Sequence, residues 1–384
     1  MAVIKISARF LMVMSLCLMS SVSSTVRAND GGKAPRLPLN DGNSIPTMGF
    51  GTFLGFDEVN KSSKTNGQKE IKEGDVEIPT KLAIEAGYRM IDTAQAYKNE
   101  DQVGLAVRKS SVPREDIFIV TKLASHRQRE AVAALRESLR LMDLPYVDLY
   151  LIHSPVAFTP DEKSYDIVDY LDTWKAMEEA KRLGLTKSIG VSNFNVSQIQ
   201  RLLDNCEIKP TVLQIEVIGY PTARLPTLLL LRLRDDDFTI INKLQFQVNL
   251  NLAQNKLVDF CKRQDIVVMA YTPFGSMFAS EGPAPKINDP TMVALAEKYK
   301  KSVPQIAIKY LVQRGLAPIP KSTRKQKIEE NIDIFDFELT EEEMKTLAGF
   351  NKDYRTVVTS FWQDHPYYPH EKVDKPRANP FEKE

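Results

Sequence analysis

Residues 89–123 read RMIDTAQAYKNEDQVGLAVRKSSVPREDIFIVTKL. Arg89–Asp92 is a short β-prone run that ends on a carboxylate. The segment DQVGLAVRKS, at 101–110, has the amphipathic pattern of a helix with one buried face. Ile117–Lys122 is a second β-prone run, and it ends on an ammonium. Strand, helix and strand in this order form a βαβ unit, whose two strands lie parallel.

The unit recurs in both directions along the chain. Strands are expected at Thr47–Thr52, Arg89–Asp92, Ile117–Lys122, Val147–His153, Ser188–Val191, Thr211–Glu216, Val267–Tyr271 and Pro318–Pro320. Helical patterns such as PTKLAIEAG, REAVAALRESLRLM, YLDTWKAMEEAKRLG and QNKLVDFCKRQ lie between them. Eight strands alternating with helices imply an α/β fold of the (β/α)8 TIM-barrel type in a single domain. A doubly wound sheet is the alternative. It would bring a GxGxxG turn after its first strand, and Gly49-Phe50-Gly51-Thr52 does not continue that way. Ahead of the barrel, Asp41-Gly42 between short apolar segments reads as the turn of an N-terminal hairpin.

The chain has 384 residues, 43% hydrophobic and 26% charged, with a formal net charge of +1. That balance carries no bulk basic surface for nucleic acid. Lys5 and Arg9 precede an apolar stretch, Phe10–Val22, and Val26-Arg27-Ala28 follows as a cleavage signature. The stretch is short for a bilayer span. Residues 1–28 therefore read as a secretory signal peptide, with an uncleaved anchor as the alternative. Residues 29–384 are then a secreted barrel with no membrane partner. Of three cysteines, Cys17 leaves with the signal, and Cys206 and Cys261 read as buried free thiols. Asn60-Lys61-Ser62 is a glycosylation sequon in a polar loop; the sequon at Asn195 reads instead as the N-cap of the helix SQIQRLL.

Barrel enzymes build their sites where the strands end. The polar residues there are Asp92, Lys122, His153, Gln214 and Tyr271, one at the end of each of five strands. Singly, Asp92 could cap a helix, Lys122 could be a surface lysine and His153 a satisfied core histidine. Their convergence favours a site. Four histidines are present and none sits at ligand spacing to another, so no metal is expected, and His365 and His370 in the tail read as surface residues.

At these positions the sequence resembles the aldo-keto reductase family. The carriers are IDTAQAYKNEDQVG at 91–104, VTKL at 120–123, VDLYLIHSP at 147–155, IGVSNFN at 189–195 and IPKSTRKQKIEEN at 319–331. The likeness runs from about Leu37 to the C-terminus. It implies an NADPH-dependent carbonyl reductase with a catalytic set of Tyr97, Asp92, Lys122 and His153. Tyrosine is protonated but weakly acidic near neutral pH. An ammonium beside it favours the phenolate, which suits Lys122, and Asp92 would hold Lys122 charged and in place. His153 would orient the substrate oxygen, leaving Tyr97 as general acid.

The resemblance also implies a cofactor site. Ser192, Asn193 and Gln214 would bind the nicotinamide carboxamide, Tyr271 would stack on its ring, Thr52 would lie beside it, and Thr272 and Ser276 would hold the pyrophosphate. Lys321, Ser322 and Lys327 fall where the family binds the 2′-phosphate. Lys327 stands where family members usually carry arginine, and Arg324 could compensate for the lost bidentate geometry. Glu330 and Asn331 would contact the adenine. Phe53, His153 and an aromatic C-terminal loop with Phe361, Trp362, Tyr367 and Tyr368 would bind a bulky apolar substrate.

Two stretches depart from the family. Phe56–Asp75 is long and charged and reads as a surface loop near the mouth. Val217–Gln247 interrupts the family spacing, and removing it joins Glu216 to Val248 and restores that spacing. Valine codons begin GT and a glutamine codon is CAG, so this segment reads as a translated retained intron, with a lid loop as the alternative. A signal peptide with this body resembles the secreted insect 3-dehydroecdysteroid reductases. A monomer acting on a small carbonyl compound such as 3-dehydroecdysone is the expectation. The rival is a non-catalytic cofactor- or ligand-binding barrel.

Overall fold

The computed structural model describes residues 32–55, 70–215, 250, 253–279, 282–352, 362–369 and 372. The leader at 1–28, the sequon at Asn60, most of the charged stretch after Phe56, the segment Val217–Gln247, Phe361 and His370 lie outside the described residues.

The hairpin comes first: β1 (Arg36–Pro38) pairs antiparallel with β2 (Ser44–Pro46). Its turn is the Asp41-Gly42 pair, with Gly42 at φ 86° and the Asn43 amide donating to Asp41 Oδ1 at 3.1 Å. Eight strands follow in one parallel sheet: β3 (Phe50–Gly51), β4 (Met90–Asp92), β5 (Phe118–Leu123), β6 (Val147–Ile152), β9 (Thr186–Ser192), β10 (Val212–Ile215), β11 (Val267–Ala270) and β12 (Ala317–Pro318). Neighbours in the chain are neighbours in the sheet, apart from a small antiparallel pair, β7 (Ala157–Phe158) and β8 (Tyr165–Asp166), set in the loop after β6. Each of the eight expected strands is present.

The sheet closes on itself. Gly49 donates to Pro318 O at 3.0 Å and Gly51 to Pro320 O at 3.1 Å, while Ile319 donates to Ala270 O at 2.9 Å on the other side. Proline has no N–H, so Pro318 and Pro320 accept from β3 and give nothing back. The seam of the barrel is a one-way ladder.

The strands are buried on both faces. All six residues of β5 and all six of β6 are buried, as parallel strands covered by helices must be. The covering helices are α1 (Glu77–Glu85), α2 (Glu100–Arg108), α3 (Ala131–Met142), α4 (Tyr170–Arg182), α5 (Val196–Leu203), α6 (Asn255–Arg263), α7 (Pro290–Tyr299), α8 (Val303–Gln313), α9 (Lys325–Ile332) and α10 (Glu341–Ala348). Their starts are written locally. Asn195 Oδ1 accepts from the Gln198 amide at 2.9 Å while Gln198 Oε1 accepts from the Asn195 amide at 3.1 Å, a reciprocal cap. Thr340 and Glu343 repeat it at α10. Asn195 Nδ2 also donates to Pro369 O at 2.9 Å, so this sequon asparagine is committed to structure. Cys261 is buried as expected, and its thiol is pushed up to about 12 by that burial; Cys206 is only half-buried, a partial correction.

The hairpin plugs the end of the barrel where strands begin. Asn40 Nδ2 donates to Pro210 O and Asp265 O at 2.9 and 3.1 Å, and Asn43 Nδ2 to Lys187 O at 3.2 Å. Asp41 Oδ2 accepts from Lys181 Nζ at 2.5 Å and Ser188 Oγ at 2.8 Å. Carbonyls that would otherwise face an open floor are thus satisfied. The opposite end is left for chemistry.

Inside, β9 runs between β6 and β10 with almost no clearance. A Cβ on Gly190 would stand 2.4 Å from Val212 O and 2.8 Å from Leu151 Cδ2. The first obstacle is backbone, which cannot rotate away. Gly190→Ala is therefore expected to destabilise the barrel by about 2 kcal/mol or more, read as a lowered urea midpoint at unchanged slope. An unshifted midpoint would show that the strands part at no cost.

Candidate active site

Where the parallel strands end, their last residues turn into the barrel mouth. Lys122, next to last in β5, is fully buried. Its Nζ donates to Asp92 Oδ1 at 2.8 Å, to Thr93 O at 2.8 Å and to Tyr97 Oη at 3.2 Å. Those three acceptors match the three protons of an ammonium. Asp92 ends β4, and its second oxygen accepts from Gln214 Nε2 at 2.5 Å. Tyr97 arrives on a 3-10 turn, Gln95–Tyr97, that Lys98 ends in the left-handed region at φ 55°. Its ring meets the edge of the His153 ring at 5.7 Å and an 80° interplanar angle, and the Phe53 ring at 4.9 Å. The structure therefore brings Tyr97, Lys122, Asp92 and His153 together, with Phe53 as the first apolar wall.

The next two strands supply a polar shelf. The Asn193 amide donates to Gln214 O at 3.0 Å, and Asn193 Nδ2 donates to His153 O at 2.7 Å and Ser192 Oγ at 3.1 Å. Gln214 Oε1 is buried and accepts no hydrogen bond among the described residues. A buried amide oxygen left without a donor costs about 1–3 kcal/mol. Asn193 and Thr272 both sit at positive φ, 61° and 45°. For a β-branched threonine that conformation is strained, and such strain gathers at functional sites.

Further along the mouth, Tyr271 is buried immediately after β11. Ser276 is buried, and its hydroxyl donates to Pro283 O at 2.8 Å, so here it braces its own loop. Thr52 is buried with Oγ1 on Asp92 O at 3.0 Å. Lys321 and Arg324 are exposed and Ser322 half-buried at the start of α9, where Ser322 Oγ accepts from the Arg324 amide at 3.2 Å. Unpaired amides and the helix dipole make such a terminus attractive to anions. Lys327 is paired with Glu330 at 2.6 Å, so two residues expected at different parts of a ligand hold each other. Asn331 is buried.

The C-terminal segment does not lie free. Trp362 is buried against Phe158 at 5.1 Å, and Tyr367 meets Tyr170 at 5.3 Å. Phe158, Tyr165, Trp362 and Tyr368 form a small aromatic cluster apart from the main core. His365 corrects the sequence reading: it is 1% exposed, not a surface residue. Its Nε2 lies 3.1 Å from Asp166 O, and its Nδ1 accepts from the Tyr367 amide at 3.1 Å. Its partner on β8 is remote in the chain, so no local pattern reveals the burial.

Sequence reasoning also passed over three buried polar residues around Tyr97. Thr93 and Asn99 are fully buried and bonded to each other, Thr93 Oγ1 to Asn99 Oδ1 at 2.8 Å. Glu100 is buried behind β5, accepts from Thr121 Oγ1 at 2.5 Å, and is pushed above the usual carboxylate range by that burial, against the pull of Thr121 and Ser138. The available signal was polar residues at strand and helix ends inside the IDTAQAYKNE run.

A model of the aldo/keto reductase family matches residues 47–352. The chain belongs to that family. Aldo-keto reductase AKR2E4 of Bombyx mori is 43% identical over 346 residues, which cover 88% of this chain and 99% of that protein. Its crystal structure in complex with NADP superposes at a TM-score of 0.73, again over 88% and 99%. A second silkworm reductase, AKR2E5 complexed with NADPH, is 36% identical with a TM-score of 0.77 over 91% of this chain and 97% of that one. Human aldo-keto reductase family 1 member C4 is 39% identical over 359 residues, 88% of this chain and 98% of that protein.

Burial holds the His365 pKa below its ordinary value of 6.5. The sign follows from linkage: the opened segment takes up a proton more readily than the packed one, so stability present above about pH 6.5 is lost as pH falls through the ordinary histidine range. The C-terminal segment is expected to loosen on acidification, with the Arg129–Asp166 ion pair as the charged neighbour. Fluorescence of Trp362 in a Trp174→Phe background checks this. The acid transition should vanish in His365→Gln, and a transition that persists there would assign it to another group.

Proposed function

We propose that this aldo/keto reductase uses NADPH to reduce a bulky apolar ketone, and that the substrate is a ketosteroid of the 3-dehydroecdysone type. The Lys122–Tyr97 contact inside the barrel mouth carries the reductase chemistry. NADPH, when bound, supplies the hydride. The protein supplies everything else. Tyr97 Oη faces the mouth from beside an ammonium that lowers the cost of the phenolate it becomes on giving up its proton. Asp92 keeps the ammonium charged and fixed. His153 orients the carbonyl oxygen from the next strand.

The cofactor suits the residues present. Gln214 Oε1 offers a buried acceptor to the carboxamide N–H2, and the neighbouring Asn193 and Ser192 side chains complete a polar shelf. Tyr271 supplies a ring face at the adjacent strand end. Lys321, Ser322 and Arg324 at the start of α9 suit the 2′-phosphate, and Lys327 would share its charge with Glu330. Thr272 and Ser276 would border the pyrophosphate.

Support for a bulky substrate is the aromatic material on the active-site face. Phe53 lies against Tyr97, and Trp362 packs on Phe158 of the loop that follows β6. Such rings offer large apolar area at small conformational cost. Residues 1–28 are read as a cleaved signal and the protein as secreted and monomeric. The measurement is NADPH oxidation with 3-dehydroecdysone and with a short aldehyde. A kcat/KM about 100-fold or more in favour of the steroid is expected, and equal values would overturn the steroid assignment. Tyr97→Phe should lower kcat by about 100-fold or more while NADPH binding is kept.

The stretch Val217–Gln247 is read as a translated retained intron, because its removal restores the family spacing between Gln214 and Leu257. Sequencing transcripts across this region should yield a spliced form that joins Glu216 to Val248. Transcripts that uniformly keep the segment would refute the reading.

A further inference from the structure

Asn99 occupies the position before α2, where an asparagine side chain ordinarily accepts from the amides of its own helix. It makes no such bond. Its side chain is spent sideways instead, with complete burial. Oδ1 accepts from Thr93 Oγ1 at 2.8 Å, and Nδ2 donates to Thr52 O at 3.0 Å. Both partners lead directly to the site. The Thr93 carbonyl is one of the three acceptors of Lys122 Nζ. Thr52 donates through its amide and its hydroxyl to Asp92 O, at 3.1 and 3.0 Å, and it precedes Phe53, whose ring lies on Tyr97.

We infer that Asn99 is a positioning residue for carbonyl reduction: its amide ties the ends of β3 and β4 across the root of the Tyr97 turn and so holds Tyr97 Oη at Lys122 Nζ. The inference rests on the reductase reading of this site. An amide is required because one end must accept and the other donate. A carboxylate would satisfy Thr93 but repel the Thr52 carbonyl, and an apolar residue would orphan both partners. The loop from Thr93 to Asn99 has no regular structure apart from the single 3-10 turn, and the Thr93–Asn99 bond closes it directly from end to end. The charged and titratable groups around Tyr97 are Lys122 on β5, Asp92 on β4 and His153 on β6, with Glu100 of α2 behind Thr121. Of these, Lys122 touches the phenol oxygen, so a slackened turn is felt first as a weaker ammonium contact.

The test compares the full chain with its Asn99→Ala and Thr93→Val variants. The second removes only the Thr93 hydroxyl and keeps the carbonyl that Lys122 uses. Tyr97 is titrated directly by NMR of Cζ-labelled tyrosine, its signal assigned by its loss in Tyr97→Phe. In Asn99→Ala the Tyr97 midpoint should rise by about one pH unit as the ammonium contact weakens. The alkaline limb of kcat should move with it, and kcat should fall about 10- to 100-fold with NADPH affinity unchanged within about twofold. Thr93→Val should shift the midpoint in the same direction by less. A midpoint unchanged in both variants overturns the inference, even where stability is lost, because a merely structural role would leave the phenol alone. Wild-type protein that reduces no carbonyl would defeat the functional reading by itself, and the NMR titration would still decide the role of Asn99.

Discussion

Lys122 holds an ammonium in the interior of the barrel with no access to water. Removing an ion from water costs several kcal/mol unless its protons are all met and a counter-charge is close. The structure meets that demand with three acceptors from one neighbouring strand and the turn that leaves it. The demand then propagates. Asp92 must stay ionised, so its second oxygen is occupied by Gln214 from the far side of the barrel. Gln214 must present its nitrogen to Asp92, so its oxygen is left without a donor among the described residues. The orientation of a group three strands beyond Lys122 is thus set by the need to solvate Lys122. Removing either charge would strand the other, which ties the stability of the mouth to its chemistry.

Much of this was legible in the sequence. Parallel strands buried on both faces are short apolar runs, and a polar residue at the end of one has nowhere to go but the mouth. That is why Asp92, Lys122, His153 and Gln214 could be named from their positions alone. Local chemistry also identified Asn195 as a cap and Asp41-Gly42 as a turn. What escaped notice depends on partners far away in the chain. The β7–β8 pair consists of two-residue strands too short to show a period. His365 is buried by Asp166, about two hundred residues earlier. Asn99 resembles an ordinary cap until its bonds to Thr93 and Thr52 are seen. Lys321, Ser322 and Arg324 gather at the start of α9, as their closeness in sequence requires, but the Lys327–Glu330 pair is a rotamer choice that no sequence pattern specifies.

The two ends of the barrel are built on different terms. The floor is sealed by Asn40, Asp41 and Asn43, which satisfy strand-end groups through ordinary turn conformations. The mouth keeps a β-branched residue, Thr272, at positive φ and leaves Gln214 Oε1 unmatched among the described residues. A sealed floor stabilises the fold without contributing to reactivity, and it allows the mouth to retain strain that a smaller scaffold would relax.

The one-way seam has a consequence for how the barrel breathes. Every other junction in the sheet has amides on both of its strands, so opening can be followed from either side by hydrogen exchange. Between β12 and β3, among the described residues, the donated amide protons are those of Gly49 and Gly51, because Pro318 and Pro320 have none. These two glycine amides therefore report whether the cylinder is shut. Their carbonyl partners lie on the strand that leads into Lys321, so the exchange rates at these two glycines would follow the tightness of the mouth beside α9 as well as that of the fold.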